Sequence, residues 1–218
     1  MPYKALLLTL LRLLCKASIL PLCGFLSLPL HANSIGEMDR FFSQVHTLQA
    51  RFTQVVFDEN LIPLEESSGQ LRISRPGRFR WDYDPPAEQV IVADGTRLWF
   101  YDLELEQVTV RRMADALGES PAAVLSGSGN PKENYQATDL GVQGDISWVS
   151  LVPRKSSETF AQIQLGFEGP TLRLIQLLDE LGQITRIVLA DVKENGNFEP
   201  STFKFQIPSG VDILDESG

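Results

Sequence analysis

Residues 69 to 81 read Gly69-Gln70-Leu71-Arg72-Ile73-Ser74-Arg75-Pro76-Gly77-Arg78-Phe79-Arg80-Trp81, two alternating runs joined by a Pro-Gly turn. Successive strand residues point to opposite faces, so Leu71, Ile73 and Arg75 share one side while Arg72 and Ser74 share the other. After the turn the phase restarts, with Phe79, Trp81 and Tyr83 facing one way and Arg78, Arg80 and Asp82 the other. Arg75 therefore stands in phase with an apolar row. If that row faces the interior, its guanidinium needs acceptors, because an unpaired buried charge is very costly. The plainer reading is an arginine at a strand end that reaches water along its own stem.

The period of two extends over most of the chain. It predicts strands at about Leu48 to Asp58, Glu66 to Arg75, Arg78 to Tyr83, Gln89 to Ala93, Arg97 to Asp102 and Glu106 to Arg111. A second series covers Tyr135 to Leu140, Ile146 to Pro153, Thr159 to Phe167, Leu172 to Asp179, Ile184 to Lys193 and Thr202 to Ile207. Asp94-Gly95 is a hairpin signal. One helix precedes them, Ser34 to Val45, with Ile35, Met38, Phe41, Phe42 and Val45 at helical spacing. The fold class is mainly β, a strongly curved antiparallel sheet or barrel. Leu98 and Phe100 point opposite to Trp99 and Tyr101, so both faces are covered there. A sheet curved around a cavity with a helix on its other side satisfies this, and so does an ordinary two-layer core.

Between the two series the rhythm breaks. Arg111 to Leu117 suits a short helix, and Ser120-Pro121 supplies an N-cap and first-turn proline for a second over Ala122 to Leu125. Ser126-Gly127-Ser128-Gly129-Asn130-Pro131 ends it. Helices this short need an apolar face docked on something. The segment is either a crossover connection or a movable cover.

Lys4, Arg12 and Lys16 followed by the apolar Ala17 to Leu30 read as a secretory signal peptide cut near Ala32, which leaves a soluble exported domain over residues 33–218. Cleavage removes both cysteines and His31 and leaves 16 basic against 28 acidic residues, a formal charge of −12. That balance argues against nucleic acid or an anionic membrane surface. No nucleophile elbow, metal-ligand pair or phosphate loop is present, and no cofactor, metal or catalytic residue is expected. His46 has no companion, and carboxylate pairs such as Glu65-Glu66 and Asp212 with Asp215 fit a solvated surface better than a hydrolase site.

Several segments together resemble the LolA family of periplasmic outer-membrane lipoprotein carriers. They are Arg51-Phe52-Thr53-Gln54, Gly69 with Leu71, Arg75 to Trp81, Val92-Ala93-Asp94-Gly95, Leu98 to Asp102, Glu106 to Thr109, Gly118 to Leu125 and Phe203 to Asp212. The resemblance implies an incomplete antiparallel β-barrel, with an N-terminal helix and short lid helices over an apolar cavity. It also implies a monomeric, non-enzymatic carrier. Such a carrier takes the acyl chains of lipoproteins from an inner-membrane ABC transporter and passes them to an outer-membrane receptor. By the same resemblance Arg75 bonds lid carbonyls and holds the empty form closed, and Phe79 lies near the mouth, where it either serves transfer or belongs to the core. Alternation then assigns Leu71, Ile73, Trp81, Leu98, Phe100 and Val110 to the cavity wall, with Ala122, Val124 and Leu125 from the lid. A lipid-sensing envelope-stress domain of similar fold and a carrier of another lipid are the competing functions.

Overall fold

The computed structural model describes residues 33–113, 121–127, 130–155 and 160–217, so the expected signal peptide lies outside the described residues. Asn33 caps the first helix, α1 (Ser34–Gln44), by accepting the Gly36 amide at 3.0 Å, and Met38 and Phe41 on its apolar stripe are fully buried. Six strands follow: β1 (Thr47–Phe57), β2 (Pro63–Ser74), β3 (Arg78–Tyr83), β4 (Gln89–Asp94), β5 (Arg97–Asp102) and β6 (Gln107–Arg112). Next come α2 (Pro121–Ser126), a 3-10 turn (Pro131–Glu133), β7 (Tyr135–Gln143), β8 (Ile146–Pro153), β9 (Gln162–Glu168), β10 (Thr171–Leu178), β11 (Ile184–Glu194) and β12 (Asp212–Asp215).

All twelve strands form one sheet in the order β12-β6-β5-β4-β3-β2-β1-β11-β10-β9-β8-β7. Every neighbouring pair is antiparallel except β12 on β6, which is parallel. β7 and β12 are the two edges and do not pair, so the barrel is incomplete. Between β6 and β7 in the sequence, α2 packs on β3 and β2 and the 3-10 turn contacts β7.

Register explains the core. Directly paired residues share a face, which aligns Leu48, Ile73, Phe79, Ala93 and Leu98 in one row and Ala50, Leu71, Trp81, Ile91 and Phe100 in the next. In the other half Val149, Leu165, Ile175 and Ile187 form a third row. These rows and α1 belong to one apolar cluster, so the sheet curls until its two halves face a shared interior. Gly69 permits part of this packing: a Cβ there would lie 2.0 Å from the Asp82 carbonyl and 2.8 Å from the Phe52 ring.

The outer face answers why β5 is apolar on both sides. Residues 196–217 cross it without regular pairing until β12, and Phe205 stacks on Trp99 at 5.5 Å and tilts against Tyr101 at 6.0 Å. An extended segment covers that face, whereas α1 lies on the inside, against β7, β8 and β9. Two expectations are corrected here. Thr202 to Ile207 is not a strand, because its aromatics dock on a sheet face while Asp212–Asp215 takes the β6 edge. Arg111 and Arg112 belong to β6 and not to a helix, and the rest of that predicted helix beyond Met113 lies outside the described residues.

Candidate functional site

The β2–β3 turn is where the covers of the concave face converge. Gly77 takes φ +69, a left-handed conformation that glycine adopts without strain, and its amide donates to the Ser126 carbonyl of α2 at 2.7 Å. Arg75, half-buried at the end of the Leu71-Ile73 row, donates from Nε to the Leu125 carbonyl at 2.8 Å. Its Nη1 donates to the Phe41 carbonyl at 2.9 Å and also to the Val45 carbonyl. The guanidinium lies 4.5 Å from the Phe41 ring centroid and 4.8 Å from that of Phe42. Among the described residues no carboxylate forms an ion pair with it. One side chain thus meets the last turn of α2 and the C-terminal end of α1, where it shares the Phe41 carbonyl with the Val45 amide.

Burial pulls the Arg75 pKa from 12.5 down to about 10, with the negative charge of Glu194 opposing the shift. It remains a cation at any physiological pH. Arg75 Nη2 is buried without a hydrogen-bond partner among the described residues, so the cation is only partly satisfied.

The two helices are held differently. Besides Arg75, α1 is fixed at its C-terminal end by Asn195. That side chain accepts from the His46 amide at 2.8 Å and donates to the Gln44 carbonyl at 3.0 Å. Arg40 pairs with Glu194 at 3.4 Å, Lys132 with Asp39 at 2.6 Å, and the Ser147 hydroxyl bonds Glu37. Helix α2 packs on β2 and β3, burying Leu125 almost completely and Val124 partly.

The sequence-predicted residues separate as follows. Leu71, Ile73, Trp81 and Leu98 are buried on the concave face and Phe100 is partly buried there. Val124 and Leu125 come from the cover, and the side chain of Ala122 lies outside the described residues. Val110 is corrected: it pairs with Trp99, so it is buried on the outer face, and Thr109 and Arg111 are in phase with the interior. Phe79 is fully buried between Ile73 and Ala93, one row in from the β2–β3 turn, and forms part of the covered surface.

Sequence reasoning did not find two sets of residues. The far wall, Val149, Leu151, Ile163, Leu165 and Phe167, is fully legible as alternation once its face is known. Asn195 carries no such signal, because its partners are 149 and 151 residues away. Among the described residues no group of His, Cys, Asp or Glu is arranged to hold a metal, and no helix is long and apolar enough to cross a membrane.

The arrangement is an unclosed sheet curled around an apolar interior, with an eleven-residue helix and a six-residue helix packed against it. The family model described as "Outer membrane lipoprotein carrier protein LolA" matches residues 43–206. The outer-membrane lipoprotein carrier protein of Nitrosospira multiformis is 42% identical over 188 residues, spanning 85% of this chain and 90% of its own. That of Chromobacterium violaceum is 41% identical over 189 residues, spanning 87% and 91%. Among solved structures, an uncharacterized conserved protein from Thermus thermophilus shares the fold with a TM-score of 0.54 at 14% identity, over 84% of this chain and 99% of that one. Sequence match across most of the chain and the covered, incomplete barrel agree, and the chain belongs to the LolA family of outer-membrane lipoprotein carrier proteins.

Proposed function

We propose that the chain shelters lipoprotein acyl chains against its concave face and that Arg75 couples their entry to displacement of α2. The observation that carries this reading is the bridge from Arg75 to the carbonyls of Leu125, Phe41 and Val45 over an apolar interior. Burying an acyl chain is worth roughly 0.8 kcal/mol per CH₂, so a C16 chain needs on the order of 10 kcal/mol of shelter to travel through water. A cover that must be displaced lowers the apparent affinity, which lets the cargo leave again. Hydrogen bonds to a charged donor, each worth about 1.5–3 kcal/mol, suit that purpose because they are strong enough to close and few enough to open.

In this reading the protein is exported after removal of residues 1–32 and works in the periplasm as a monomer without a catalytic step. Lipoprotein arrives from an inner-membrane ABC transporter and departs to an outer-membrane receptor. Phe79 becomes part of the transfer surface when α2 moves, since it stands next to the turn that holds α2. The test is transfer of a triacylated lipoprotein from inner-membrane vesicles into solution by the purified protein. The native chain should yield a soluble complex, and Arg75→Leu should keep its fold yet change loading or onward transfer several-fold. Equal loading and transfer by the two proteins would remove Arg75 from the mechanism, and failure of the native chain to solubilise any lipoprotein would remove the reading.

A further inference from the structure

Trp81 is the largest side chain on the concave face, 2% exposed, and its indole Nε1 has no hydrogen-bond partner among the described residues. Indole N–H groups usually find an acceptor when buried, so an unmet one calls for a reason. Its surroundings supply none. Leu71 and Ile91 flank it across the sheet, the Phe52 ring lies 4.9 Å away edge-on, and the Tyr83 ring stacks at 6.2 Å with its hydroxyl committed to Gln54. A trapped water is poorly suited to such a site, because it needs at least two polar partners and Trp81 provides one. The acceptor has to arrive with a guest that is otherwise largely apolar.

We propose that Trp81 Nε1–H donates to an acyl carbonyl of the bound lipid, so that the hollow distinguishes acyl esters and amides from alkyl chains of equal length. This rests on the sheltering function proposed above and adds to it a polar anchor point. Its depth fits. The Leu71–Trp81–Ile91 row lies two residues, about 7 Å, beyond the row of Ile73, Phe79 and Ala93 that borders the α2 contact. A carbonyl held there leaves its hydrocarbon tail pointing into the rows shared with the far wall. Trp99 serves as an internal control, since its Nε1 is also unmet but lies on the outer face beneath Phe205.

The experiment uses the exported chain, residues 33–218, with its three tryptophans labelled at the indole nitrogen. It is titrated with dioctanoylglycerol and, separately, with the dioctyl ether analogue. The ester should move the Trp81 indole proton downfield and leave those of Trp99 and Trp148 in place, and the ether should not. Trp81→Phe, which keeps an aromatic ring and loses the donor, should weaken ester binding about tenfold more than it weakens ether binding. Equal binding of ester and ether with an unmoved Trp81 indole would overturn the inference and leave the sheltering function standing. Binding of neither lipid by the folded native chain would overturn both. If Trp81→Phe fails to fold, the indole shifts of the native chain decide.

Discussion

Helices α1 and α2 cover the same concave face, yet they differ in almost every respect that governs stability. α1 has eleven residues, two of them fully buried apolar anchors, and polar ties to β8, β11, the 3-10 turn and the β2–β3 turn. α2 has six residues; Leu125 and Ser126 are buried and Val124 partly so, it packs on β2 and β3, and its Leu125 and Ser126 carbonyls accept from Arg75 and Gly77. A helix of that length has no stability of its own. In the mechanism proposed above, α1 serves as part of the wall and α2 as the element that a guest displaces. Arg75 donates to carbonyls of both helix ends.

The comparison breaks first if α1 is not structural. Phe41→Ala should cost about 3–5 kcal/mol in a urea unfolding curve, because it empties a site packed against Phe42 and Phe167. A loss below about 1 kcal/mol would place α1 among the loose elements. Arg75→Leu should cost less globally, about 1–3 kcal/mol, while hydrogen exchange at the amides of α2 and Gly77 accelerates far more than at those of α1. Asn195→Ala sharpens the contrast from the other side: about 1 kcal/mol of stability is lost with faster exchange at His46 and no change at Gly77.

The smallest effect is a pH dependence at the end of the interior away from both helices. Burial pushes the Tyr83 phenol up to about 12, with the Gln54 hydrogen bond opposing and the charge of Glu65 adding. The unfolded chain releases that proton from about pH 10, before the folded chain does, so folded stability falls as pH rises from about 10 to 12. Tyr83→Phe should make denaturation midpoints measured between about pH 9 and 12 fall less steeply. An unchanged slope would show that the phenol ionises without resistance.

Much of this was written in the sequence, in forms that local physics can read. The Leu71-Ile73-Arg75 phase identified both the inward row and the charge at its end, since alternation and a fixed turn leave little freedom. Val110 was misplaced because polar Thr109 and apolar Val110 suggest the wrong face when the outer side of β6 is also covered. The same cover disguised Phe203 and Phe205: alternate aromatics serve a strand and a segment lying across a sheet equally well. That Arg75 also reaches α1 follows from the curl of the whole sheet, which no local pattern encodes.

In the proposed mechanism acyl cargo displaces α2 from the β2–β3 turn while α1 stays in place. Amide exchange at Gly77, compared with Arg75 in the same turn, tests it most directly. The Gly77 amide donates to Ser126 of α2, whereas the Arg75 amide donates to the His46 carbonyl beside α1. Loading with a triacylated lipoprotein should abolish protection at Gly77 and preserve it at Arg75. Equal protection at Gly77 in the empty and loaded protein would contradict it.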